Sequence, residues 1–346
     1  PRSTPSNSSA ASDVYKRQKI CWAVDIIRKR AESLSNLQEK INITTDYKRA
    51  LDDPEVDAVD ICLPHNLHAP VAVAAAQAGK HILCEKPLAA SLEEADQMIQ
   101  AAKKRGVILM VAENVRFSPF YQKVHEFIQD GVIGKPALIQ ITRQAYLVKS
   151  FLEERPWFLN RKAAAGGIMM SGGVHDFEIM RMLIGEIESV YALQAPQRFL
   201  QMEGDDTSVA LVQFKNGCVG VLVESFIMKD LVTATGSEIH TLRVDGDLGS
   251  ISVKAGEPIY LFSEREDMRV EGEIVQHTIH VPDLDTFFLE IEHFIHCIRT
   301  GKEPITSGQS QRRPLEVVLA AYKSCLLYTS DAADELDGVD LGGRRI

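Results

Sequence analysis

Three short apolar runs lie in the first third of the chain: DAVDICLP at 57–64, closed by Pro64, HILCEKP at 81–87, which ends on Glu85, Lys86 and Pro87, and VILMVAENV at 107–115. Between them lie HAPVAVAAAQAGK, stopped by Gly79, and SLEEADQMIQAAKKRG, with a serine cap and glutamates in its first turn. Serine accepts a hydrogen bond from the free N–H groups of a helix start, and carboxylates there complement the helix dipole. Strands alternating with helices of this length make βαβ units and a parallel sheet. Open sheets of that kind gather ligands at the carboxyl ends of their strands. Glu85, Lys86 and Pro87 therefore stand at a ligand-binding rim.

Upstream, KICWAVDII (19–27) is an apolar run containing Asp25, followed by a helical segment RKRAESLSNLQEK and a second helix around YKRALDD. If Asp25 closes the second strand of a dinucleotide-binding unit, a G-x-G-x-x-G loop belongs about 20 residues earlier. That position falls in the first 18 residues, and the first glycine in the chain is Gly79. The expectation is a Rossmann-like sheet lacking its first strand, Gly-rich loop and first helix.

Both termini read as foreign. SSAASDVYKRQ (8–18) back-translates to DNA whose reverse complement, in a shifted frame, encodes CLLYTSDAADE, which is 325–335. No property of a folded protein makes its two ends complementary at the coding level, so 1–18 and 325–346 are expected to be translated sequencing-library adapter and are set aside. That leaves 19–118 as a truncated dinucleotide-binding domain and 119–324 as a substrate and oligomerisation domain.

Past Pro119 the pattern changes. FYQKVHEFIQDGVIGKP reads as a helix and turn leading into ALIQITRQAYLV, where period-two alternation begins. IESVYALQAPQ, DTSVALVQFKNG, CVGVLVESFIM, EIHTLRVDGDLGSISV and EIVQHTIHV continue it, with KNG as a hairpin turn. This predicts an α+β domain with a large, open-faced, mainly antiparallel sheet. A glycine-rich turn within AAAGGIMMSGGVHDFEIMRMLIG runs into a helix starting near His175, and helices are predicted at 285–300 and 312–324.

Composition narrows the function. A net charge of -10 gives no basic footprint for nucleic acid. No apolar run has transmembrane length and no signal peptide is visible. Six cysteines without paired spacing read as reduced, cytoplasmic thiols. Cys62 and Cys84, at strand ends, act as small hydrophobes. His293 and His296, with Glu290 and Glu292 nearby, imitate a metal site, but a solvated helix face explains them and no metal is expected.

EKP at 85–87, NVRFSP at 114–119, GVIGKP at 131–136 and GGVHDFEIMRMLIG at 172–185 together resemble the Gfo/Idh/MocA family of nicotinamide-dependent oxidoreductases, in order and at similar spacing. The resemblance implies hydride transfer between NAD, or NADP, and a sugar, sugar acid or cyclitol hydroxyl. It implies that Lys86 is the active-site lysine, beside a cis Lys–Pro bond, and that His175 accepts the hydroxyl proton. Imidazole suits that task because its ordinary pKa of about 6.5 lets it cycle near neutrality.

One position departs from the pattern. Many sugar and inositol dehydrogenases of the family carry aspartate four residues before the histidine; here it is Ser171, which cannot hold a charge to stabilise imidazolium. Glu178, one helical turn after His175, is expected to supply it. Asp25 resembles the acidic residue that holds the adenine ribose and favours NAD, a preference that Arg28 and Arg30 weaken. Pro64, His65 and His68 resemble the loop running along the cofactor, with Glu85, Lys86 and Pro87 beyond it. Arg116, Tyr146, Trp157 and Arg161 are candidates for the substrate pocket.

Two other readings stay open: an NAD-requiring glycosidase of the same family, and a redox-silent nucleotide- and sugar-binding protein. A homo-oligomer formed through the C-terminal sheet is expected, and weak or no NAD binding by a chain without its phosphate loop.

Overall fold

The computed structural model describes residues 18–38, 40–230, 232–233, 238–327 and the backbone of 339–340. The two expected adapter segments lie almost wholly outside the described residues. Five strands and four helices alternate first: β1 (Trp22–Val24), α1 (Arg28–Ser33), β2 (Asn42–Thr44), α2 (Tyr47–Leu51), β3 (Ala58–Ile61), α3 (His68–Gln77), β4 (His81–Glu85), α4 (Leu92–Arg105) and β5 (Leu109–Ala112). All their pairings are parallel.

Strand β4 explains why its sequence is a continuous apolar run. Ile82 and Cys84 face the alanines of α3 and Met98 of α4, while Leu83 packs on the opposite side with Met110, Ile291 and Phe294. A parallel strand covered on both faces has no solvent side, so it cannot alternate. Burying each side chain of this size contributes about 1.5–3 kcal/mol. Helix α4 starts as its sequence predicts: Ser91 Oγ accepts from the Glu94 N–H at 3.2 Å, and Gly106, at φ 67°, ends it.

The parallel strands form two sheets, β1–β2 and β3–β4–β5. In a doubly wound sheet the first strand sits between these two groups. The residues where it was sought, 1–17, lie outside the described part.

Helix α5 (Pro119–Gln129) leads into a nine-stranded sheet: β6 (Pro136–Gln144), then helices α6 (Val148–Glu153), α7 (Arg161–Ala164) and α8 (Val174–Leu183), then β7 (Ile187–Gln194), β8 (Thr207–Phe214), β9 (Val219–Ser225), β10 (Ile239–Gly246), β11 (Gly249–Lys254), β12 (Ile259–Ser263) and β13 (Gln276–Ile279). Helices α9 (Thr286–Thr300) and α10 (Gly308–Leu327) follow, and β14 (Val339–Asp340) lies antiparallel to β7. The order is β13-β12-β11-β10-β6-β9-β8-β7-β14. Among the described strands it is antiparallel except at β6–β9, which run parallel because the three intervening helices and the β7–β8 hairpin return the chain in the same direction. Alternation is cleanest in β8, which buries every second residue. One face packs on α8 and α10, while the other exposes Leu193, Val209, Leu211 and Val219.

The entry to α8 is a π-helical turn, Met169–Gly173. Its glycines are forced by packing: a Cβ on Gly172 or Gly173 would stand 2.6 or 2.9 Å from the carboxylate oxygens of Glu224 on β9. The close approach sets the helix down on the sheet and points His175 back towards the parallel domain.

Candidate active site

Three side chains, Lys86, Glu113 and His175, converge where the carboxyl ends of β4 and β5 meet the start of α8. Lys86 follows β4, and the Lys86–Pro87 bond is cis. Its Nζ donates to the Ser171 carbonyl at 2.7 Å, tying the rim of one sheet to the turn that carries His175. Burial lowers the Lys86 ammonium below its ordinary range, opposed by the carboxyls of Glu85 and Glu113.

Glu113, one residue beyond β5, is fully buried and hydrogen-bonds His175 Nδ1 through Oε1; Oε2 has no hydrogen-bond partner. Burial pushes its carboxyl up to about 8, against the pull of Lys86 and Arg143. Burial, then the same two cations, hold His175 well below the usual imidazole range, so its ring is neutral. The His175 side chain keeps 13% exposure, enough for its other edge to meet a ligand.

Asp176, next in sequence, anchors a second buried cluster. Arg143 of β6 grips it through two bonds of 2.7 and 2.8 Å, and His240 Nε2 of β10 lies 2.9 Å from it. His240 Nδ1 in turn meets the Tyr121 hydroxyl of α5 at 2.9 Å, and Arg143 also pairs with Glu238. Burial pushes the Asp176 carboxyl up, but the Arg143 guanidinium outweighs it and holds the group well below the usual range. This cluster pins α8 to the sheet one residue from the catalytic candidate.

The expected partner of His175 is corrected by the geometry. Glu178 does not touch it: its Oε2 accepts from Arg181 Nη1 at 2.7 Å and its Oε1 lies 3.6 Å from Arg116 Nε. Two guanidiniums, one of them a helical turn further on, capture the carboxylate first. Even so, burial pushes Glu178 up to about 7. Ser171 contributes its backbone carbonyl to Lys86. Arg116 pairs with Glu178.

The loop after β3 is more structural than its sequence suggests. His68 is 0% exposed, with its ring nitrogens 2.8 and 2.9 Å from the carbonyls of Pro87 and Leu63. It ties the loop after β3 to the Pro87 end of the rim. His65 is likewise buried, its Nδ1 on the Ala164 carbonyl and its ring edge-on to Trp157 at 5.1 Å. Pro64 opens the turn between β3 and these clamps. Trp157 closes over His65 and Phe158. Tyr146 lies under Lys229, whose Nζ is 4.9 Å from its ring. Arg161 is exposed and lines a separate polar cavity of about 240 Å³ with Glu203, Asp205 and Tyr322, away from Lys86. His293 spends its Nε2 on the Ile305 N–H.

The described rim fits a dinucleotide. Asp25, just past β1, is held by the Ile27 N–H on its Oδ1 at 2.7 Å. It stands at the carboxyl end of its strand, as Lys86 does at the end of β4. Arg28, whose Nε pairs with Glu32 at 2.8 Å, is engaged elsewhere.

Comparison with known proteins agrees. Residues 6–113 match the oxidoreductase family with an NAD-binding Rossmann fold, and 121–252 match the GFO/IDH/MocA C-terminal domain. The chain is 29% identical to the myo-inositol 2-dehydrogenase of Thermotoga maritima over 92% of each protein. It is 30% identical to the scyllo-inositol 2-dehydrogenase (NAD(+)) of Bacillus subtilis, over 88% of this chain and 86% of that one. Levoglucosan dehydrogenase in complex with NADH and levoglucosan shares its fold, with a TM-score of 0.81 at 22% identity over 96% and 95% of the two chains. By these matches, and by the lysine and histidine its fold brings to one rim, the chain belongs to the Gfo/Idh/MocA family of NAD-binding oxidoreductases.

Proposed function

We propose that the chain oxidises a secondary hydroxyl of a cyclitol or sugar, with NAD preferred over NADP. The observation that carries this is the convergence of Lys86 and a neutral His175 on one buried carboxyl, Glu113. Nicotinamide, when bound, supplies the hydride acceptor. Lys86 steadies the substrate oxygen as it becomes a carbonyl, because a preorganised ammonium in a dry site stabilises developing negative charge. His175 takes the hydroxyl proton on Nε2. Arg116 offers a guanidinium to the remaining hydroxyls, and Asp25 repels a 2′-phosphate. Accumulation of reduced nicotinamide with free inositols or aldoses is the expected result; a cofactor left unchanged while a glycoside is cleaved would instead assign the glycosidase reaction.

A second copy covers the open sheet face in this reading. Leu211 stands opposite Tyr191 on β7 and Val221 on β9, with Val209, Leu193 and Val219 beside it, all on the uncovered side. An apolar patch of this extent marks an association surface. Leu211→Glu is expected to convert the oligomer to monomer in light scattering; a wild-type monomer at micromolar concentration would refute the interface. All six cysteines are free thiols, which suits a reducing, cytoplasmic compartment, and among the described residues no helix is long and apolar enough to cross a membrane.

A further inference from the structure

We infer that Glu113 is the final seat of the substrate proton, with His175 as its relay, so that the carboxylate absent from position 171 is supplied from the residue that follows strand β5. The inference rests on the dehydrogenase reading and goes beyond it. Three observations carry it: Glu113 Oε1 is bonded to His175 Nδ1, the carboxyl is 0% exposed, and its second oxygen has no hydrogen-bond partner. A structural carboxyl this deep is normally satisfied at both oxygens. One engaged only by an imidazole is placed to exchange a proton with it.

The bonds balance as follows. The carbinol C–H electron pair leaves as hydride to oxidised nicotinamide, and the C–O bond becomes a carbonyl. The hydroxyl proton passes to His175 Nε2 while the Nδ1 proton passes to Glu113 Oε1. The dyad goes from one negative charge to none, and the imidazole is neutral before and after. No buried imidazolium is left beside Lys86 and Arg143, the cations that disfavour one.

The charged groups facing the pair are Glu85 and Lys86 from the end of β4, Arg143 from β6, and Asp176 and Glu178 from α8. The sign follows. Glu113 accepts a proton only when ionised, and burial holds its carboxyl at about 8. Polyol oxidation therefore rises with pH through that region, and the reverse reduction falls.

Histidine-selective ¹⁵N NMR on the full chain, with His175→Gln to assign the signal, reads the dyad without cofactor or substrate. In the wild type, His175 stays neutral and its proton moves from Nε2 to Nδ1 as Glu113 ionises, with a midpoint at that same pH. Glu113→Gln abolishes the switch, removes the rising limb of kcat and lowers kcat on the order of 10²–10³-fold. Glu113→Asp, which keeps a titrating carboxyl, restores part of the rate and a displaced limb. A wild-type His175 with no change of tautomer, or Glu113→Gln within about threefold of wild-type kcat with its limb intact, would overturn the proposal. If the switch is present but no polyol reduces NAD, the dehydrogenase reading fails and the proton-sharing pair stands.

Discussion

Lys86→Met is expected to lower kcat for polyol oxidation on the order of 10²–10³-fold, with KM changed far less. Methionine matches the length of the aliphatic stem but offers neither the charge nor the donors that meet the substrate oxygen. A second effect identifies the mechanism. The Lys86 ammonium is the leading electrostatic influence holding the Glu113 carboxyl down against burial. Its removal makes ionisation of Glu113 harder, so the rising limb of the pH–rate profile moves to higher pH. A lysine that merely sealed the rim would lower the rate through misfolding and leave the limb in place. Loss of the bond from Lys86 Nζ to the Ser171 carbonyl is checked by Lys86→Arg, which keeps a donor and a charge. That variant should retain the limb while losing turnover, because a planar guanidinium cannot occupy the position of a compact ammonium.

Arg143→Met is the largest expected loss of stability, about 3–5 kcal/mol, because it strands the buried carboxylate of Asp176 without its main counter-charge. Arg143 is 13% exposed and Asp176 0%, so little water is at hand to replace the two lost bonds. The double variant Arg143→Met/Asp176→Leu removes both charges and should recover a large part of that loss, since apolar groups of similar volume often substitute for a buried pair at small cost. Urea midpoints of the wild type, both single variants and the double variant provide the cycle. A single variant within about 1 kcal/mol of wild type would show that the cluster does not anchor α8.

The strand ends were the readable part of the site. An apolar run closing on Glu-Lys-Pro placed Lys86 at the rim because parallel strands present their carboxyl ends to ligand. The same rule applied to VILMVAENV points at Glu113, the first charge after that run, and it is the signal that sequence reading passed over. Helical spacing failed at Glu178 for a definite reason: position alone shows that two residues share a face, whereas Arg181 and Arg116 compete for the carboxylate and only packing reveals them. The carbonyl contacts of His65 and His68 are not legible in sequence, since a histidine that opens a helix looks the same there whether it faces solvent or clamps two carbonyls. Arg143, Asp176 and His240 come from β6, α8 and β10, elements distant in the chain that only the sheet order assembles. Period-two alternation foretold the large sheet and its open face, but not its parallel β6–β9 pair, which depends on where the intervening helices return the chain.

Hydride transfer itself is open to one direct measurement. A chain carrying a glycine-rich phosphate loop ahead of β1 is incubated with saturating NAD and a panel of inositols and aldoses carrying deuterium at the oxidised carbon, and the nicotinamide is recovered and analysed by NMR. Deuterium at C4 of the reduced ring, with stoichiometric ketone or lactone, is the predicted result. Calorimetric binding of NAD with no deuterium in the ring from any polyol would contradict the account.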